Sequence, residues 1–130
     1  MKISSMKKVV TGALVLFSIY GQAQKKQPMP KVQCVEMVTF KPKEDVSVDE
    51  LMNAMRATNK VVKTFSGFIS RTTSINEAGD FLDVVYWESR EKALAAAQKV
   101  QEIPEVMKNF ALIDPKSIQM HHFKVFAIQE

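Results

Sequence analysis

The sequence has a single cysteine, Cys34, and four glycines in 130 residues. One thiol cannot close a disulfide within the chain, so neither a disulfide scaffold nor a CxxC redox centre is available. Only Gly67 and Gly79 lie beyond residue 23. That leaves no phosphate-cradling loop and no dinucleotide fingerprint. G-x-S-x-G and H-E-x-x-H are also absent. Hydrolase, kinase, nicotinamide enzyme and thiol oxidoreductase therefore lack their usual motifs. Charge of one sign is scarce as well. The net charge is +4, and residues 1–23 hold three of the 18 basic residues, Lys2, Lys7 and Lys8, and no acid. The rest of the chain is close to neutral, which gives no basis for a nucleic-acid partner.

What is present begins with an address. After the three lysines, Val9 to Tyr20 runs without charge, and Gly21-Gln22-Ala23 follows with small residues where a signal peptidase reads. Residues 1–23 are expected to be a signal peptide cleaved after Ala23. A helix over the apolar run is about 18 Å long, short of a bilayer's core, so no stable membrane anchor is expected after cleavage. Gln24, not cysteine, follows the cleavage site, so the mature chain is expected to be free and exported, to a periplasm or to the medium. Residues 24–31 contain two prolines and no period and read as a flexible leader. Residues 32–130 are then one domain.

That domain reads β-α-β-β-α-β. Val32 to Phe40 is a strand with both parities largely apolar, ended by Pro42. Ser47-Val48-Asp49-Glu50 is a capping box. Leu51, Met55, Thr58, Val62 and Phe65 continue it as one apolar helical stripe. Phe68–Ile75 and Phe81–Trp87 flank a glycine-containing turn and form a hairpin. Ser89 caps a second, alanine-rich helix. Pro104 breaks it and opens a short helix to Ala111, and Ile118 to Ile128 is the last strand. This order makes a ferredoxin-like α+β sandwich: a four-stranded antiparallel sheet with its helices on one face. Leu82, Val84 and Tyr86 oppose Phe81, Val85 and Trp87. The face without helices would thus be apolar, and a homodimer through the sheet faces is expected to cover it.

The segment Asp83-Val84-Val85-Tyr86-Trp87-Glu88-Ser89-Arg90-Glu91-Lys92-Ala93-Leu94 resembles the hallmark of the antibiotic-biosynthesis monooxygenase (ABM) domains, of the dimeric α/β-barrel superfamily. The likeness covers about residues 31–128, including the element order and the Pro104 break. It implies a dimer of ferredoxin-like subunits. Among the activities it brings are cofactor-free quinone-forming oxygenation, haem degradation and lactone isomerisation. Haem-degrading and monooxygenase relatives often carry a histidine seven or eight residues past the serine, where this chain has Ala96 and Ala97.

The candidate chemistry is sparse. His121 and His122 are the only histidines, and as strand neighbours they point to opposite faces. Either could be a general base. No metal site is expected, because no acids stand at ligand spacing. Trp87 and Tyr86 could stack on an aromatic ring or simply pack. Arg71 and Asp83 could pair across the hairpin or orient a polar substrate group, and Glu36 has the same two options. Asn59 reads as a solvated helix residue. Met37, Met52, Met55, Met107 and Met120, with Phe65, Phe68, Phe81, Phe110, Phe123 and Phe126, are expected to fill or line the space between sheet and helices. Two functions fit. One is an exported cofactor-free monooxygenase or isomerase acting on a small aromatic or polyketide-like molecule, with Trp87, Arg71 and one histidine catalytic and Tyr86, Asp83, Met37 and Phe81 at the substrate. The other is a non-catalytic dimeric module for a hydrophobic ligand.

Overall fold

The computed structural model describes residues 31–130. The expected signal peptide and nearly all of the leader lie outside them. The elements are β1 (Cys34–Phe40), α1 (Val48–Val62), β2 (Phe68–Ile75), β3 (Phe81–Trp87), α2 (Arg90–Val100), α3 (Pro104–Phe110), a single 3-10 turn (Pro115–Ser117) and β4 (Gln119–Lys124). The strands form one antiparallel sheet in the order β2-β3-β1-β4. This is the ferredoxin-like α+β fold.

Local chemistry accounts for the boundaries. Ser47 Oγ accepts the Glu50 amide at 3.1 Å, and its hydroxyl lies 3.3 Å from Glu50 Oε1. The cap is therefore present, with the return bond made to the hydroxyl instead of the backbone. α1 ends at Val62, a turn short of the apolar stripe. Thr64 and Phe65 bond back to Val61 and Val62, which tightens the last turn while Phe65 stays in the core. Ser89 Oγ caps α2 through the Lys92 amide at 3.1 Å. Gly67 has φ +85°, and a Cβ there would lie 2.4 Å from Lys92 Cβ. Glycine is what lets the β2 entry lie against the start of α2.

The helices cover one face of the sheet. Cys34, Val85 and Trp87 pack against Val62, Phe65, Ala93 and Ala96. Phe40 and Phe81 pack against Leu51, Ala54, Met55 and Ile113. β4 is shorter than the sequence pattern suggests. The Val125 amide still reaches Gln33 O at 3.0 Å, but β1 offers no partner farther on. A strand needs a neighbour to bond, so the chain leaves the sheet and Phe126 is 97% exposed.

Candidate functional site

Alternation along the strands sorts the candidates by face. β1 turns Cys34, Glu36, Val38 and Phe40 toward the helices, and β3 turns Phe81, Asp83, Val85 and Trp87 the same way. Met37 pairs with Val84 and with His121, and Val35 pairs with Tyr86. Met37, Tyr86 and His121 therefore lie on the opposite face and line no cavity with Trp87. The sequence-based placement of Met37 and Tyr86 beside a substrate is corrected here: their parity is that of Val35, not of Glu36. His121 is likewise removed from the inner site. Its ring sits 6.2 Å from that of Phe123 on the outer face.

Between sheet and helices lies a cavity of about 540 Å³. Its walls are mostly apolar, with Val62, Phe65, Val85 and Val100 among them. Five polar-tipped side chains interrupt that lining: Glu36, Arg71, Asp83, Trp87 and Gln101. Ala96 and Ala97 of α2 also line it, so no imidazole projects there from the helix.

Glu36 is a candidate whose role sequence reasoning left undecided. It is buried, and its Oε2 lies 2.8 Å from Nε2 of His122, its cross-strand partner on β4. Burial pushes its carboxyl pKa up from the ordinary value. The nearby Asp83 charge adds to the rise, while the His122 hydrogen bond and charge and the Arg71 charge oppose it. A carboxyl held back from ionising, against an apolar space and one hydrogen bond from an imidazole, suits proton transfer. The only sequence signal was an acid in an otherwise apolar strand.

Arg71 and Asp83 do pair across the hairpin. Arg71 Nε and Nη2 each reach Asp83 at 2.9 Å, a bidentate contact with side chains 3% and 13% exposed. Arg71 Nη1 donates to Thr58 Oγ1 at 2.9 Å, and Thr58 donates to Met55 O at 2.7 Å. The buried Thr58 hydroxyl was legible only as a polar residue on the apolar stripe of α1. The pair leaves little of the guanidinium's bonding free for a substrate anion.

Trp87 is 2% exposed and meets Phe68 edge to face. Its Nε1 has no hydrogen-bond partner among the described residues. A buried, unmatched donor is costly, and here it belongs to a residue of the cavity wall. Phe81 is core, stacked on Phe40 at 5.3 Å, and touches only a second, outer groove. Among the described residues no group of three His, Cys, Asp or Glu side chains could hold a metal. Cys34 is buried, and burial raises its thiol pKa, as the Glu36 charge does, against an opposing effect of Arg90. That is the profile of an inert thiol.

No family profile matches the chain, and no curated protein does. Solved structures do. A monooxygenase from the gene ActVA-Orf6 of Streptomyces coelicolor, in complex with nanaomycin D, aligns at TM-score 0.60 and 15% identity over 78% of this chain and 95% of that one. SnoaB of Streptomyces nogalater, a cofactor-independent oxygenase, aligns at 0.55 and 12% over 77% and 97%. A dimeric ferredoxin-like protein from an uncultured marine organism aligns at 0.57 and 12% over 78% and 94%. This chain shares their fold.

Proposed function

We propose that the protein is a cofactor-free monooxygenase or isomerase that removes a proton from a small aromatic or polyketide-like molecule held in the inner cavity. The observation that carries this reading is the buried Glu36, facing an apolar space with His122 at 2.8 Å. Glu36 takes the proton from carbon or phenol, and His122 accepts or returns it across their shared hydrogen bond. The Trp87 indole N–H bonds the substrate oxygen on which negative charge develops. Returned to another carbon, the proton completes an isomerisation. With dioxygen as oxidant, the carbanion forms a peroxide at carbon. Loss of water then leaves a carbonyl, with one oxygen atom in the product and one in the water. Similarity to a cofactor-independent oxygenase and to a monooxygenase supports the oxygenase branch.

The test is oxygen uptake and product analysis with a panel of hydroquinones and anthrones. Turnover lost in Glu36→Gln is the expected result. Tight binding of panel members with neither uptake nor isomerisation overturns the enzyme reading and makes the cavity a binding module.

The reading includes a homodimer closed by the outer sheet faces. Val35, Met37, Leu82, Val84, Tyr86 and Phe123 make that face apolar across three strands, and Phe123 is 50% exposed. A fold relative is described as dimeric. Light scattering at micromolar concentration is expected to give twice the chain mass; the monomer mass overturns the dimer. Export is part of the same reading and rests on residues 1–23. It is tested by mass spectrometry of the mature N-terminus, expected at Gln24.

A further inference from the structure

A second space lies outside the first. It is a groove of about 390 Å³ between α1 and β2. Met52, Met55, Arg56 and Asn59 recur at three- and four-residue steps, so they form one stripe of α1. Arg71 and Thr73 alternate on the helix-facing side of β2. The groove exists because β2 is an edge strand that α1 covers incompletely. It shares Met55 and Arg71 with the inner cavity.

Its charge is one-sided. Two arginines line it and no carboxylate does. The Arg71 charge is already matched by Asp83. Arg56 is not matched: its guanidinium donates to the neutral Asn53 Oδ1 at 3.0 Å and meets no acid among the described residues. Asn59, three residues on, adds amide donors on the same stripe. A groove floored by methionine and rimmed by an unmatched guanidinium and an amide fits the planar, two-oxygen geometry of a carboxylate.

We propose that this groove is a carboxylate subsite, held by Arg56 with Asn59, for the acidic end of an amphiphilic molecule whose apolar body occupies the inner cavity. This rests on the reading of the inner cavity as the ligand site, and it narrows the substrate class to apolar ring systems bearing a carboxylate.

Trp87 is the only tryptophan in the sequence and lines the inner cavity, so its fluorescence reports occupancy there. The experiment titrates the full-length protein with 2-naphthoate and with the uncharged 2-naphthamide, at low and high salt. The acid is expected to bind about threefold to tenfold more tightly than the amide, with the preference shrinking in salt. Arg56→Gln is expected to abolish the preference by weakening the acid far more than the amide. Arg56→Lys should restore part of it, and Lys60→Gln, which removes an equal charge from the last turn of α1 at a residue that does not line the groove, should keep it. Equal affinities in the natural protein, or an Arg56→Gln variant that keeps the preference, overturn the subsite and leave the cavity reading intact. Failure of both compounds to bind overturns the cavity reading and the subsite with it.

Discussion

Glu36 and His122 face each other across the β1–β4 pair with 2.8 Å between Oε2 and Nε2, although 86 residues separate them in the chain. The contact joins a central strand to an edge strand. It puts an acid that opens onto the inner cavity one hydrogen bond from an imidazole at the margin of the sheet.

The two histidines should separate cleanly in kinetics. His122→Gln is expected to lower turnover substantially, and Glu36→Gln by about 10²-fold to 10⁴-fold, the usual worth of a general base. His121→Ala lies on the other face and should leave turnover within about twofold. Steady-state oxygen uptake on the three variants checks this. A larger loss in His121→Ala than in His122→Gln would reverse the assignment.

Glu36 should also leave a mark on stability. Burial raises its carboxyl pKa in the folded chain above the ordinary 4.5. Between the unfolded and folded values the native state holds the extra proton, so stability is fully present below the unfolded value and falls as pH rises toward the folded one. Glu36→Gln cannot titrate and lacks that slope. Thermal melts by circular dichroism from pH 4 upward should show the natural protein losing ground against the variant. Parallel curves would refute it.

Arg71 and Asp83 should behave as a buried pair. Asp83→Ala strands the guanidinium and is expected to cost about 3–5 kcal/mol. Arg71→Met combined with Asp83→Leu should recover most of that, because neither charge is left alone. Urea denaturation of the single and double variants is the measurement.

Trp87→Phe keeps an aromatic ring in the wall but removes the unpartnered N–H. The stability cost should be modest, about 1–2 kcal/mol for the smaller ring. The drop in kcat/KM should be larger, about 10-fold to 100-fold, if the indole bonds the developing oxyanion. Equal catalysis in the two proteins would assign Trp87 to packing alone.

The two left-handed glycines should respond unequally. Gly67→Ala adds a Cβ 2.4 Å from Lys92 Cβ on top of the φ +85° strain, whereas at Gly79 the nearest atom, Val48 Cγ2, is 3.5 Å away. Gly79→Ala should cost about 1 kcal/mol and Gly67→Ala clearly more, since Lys92 is anchored on a helix. Denaturation midpoints decide the order.

The element order was written in local signals. Ser47 and Ser89 cap their helices, Pro104 splits the second helix, and the Asn76–Asp80 turn closes the hairpin as short-range chemistry requires. These depend on neighbours a few residues apart, so the sequence alone determined them, and with them the fold. The ends of α1 and β4 were less legible, because an element stops where its tertiary partner stops: the last strand ends with β1's edge, not with its own apolar run. Alternation showed that His121 and His122 part company, but not which one turns inward. Only the β1–β4 register decided that, by setting His122 opposite Glu36 and leaving His121 opposite Met37. The same register turned an ambiguous acid into the centre of the candidate site, since burial and a partner's distance are properties of packed chains and not of residue order.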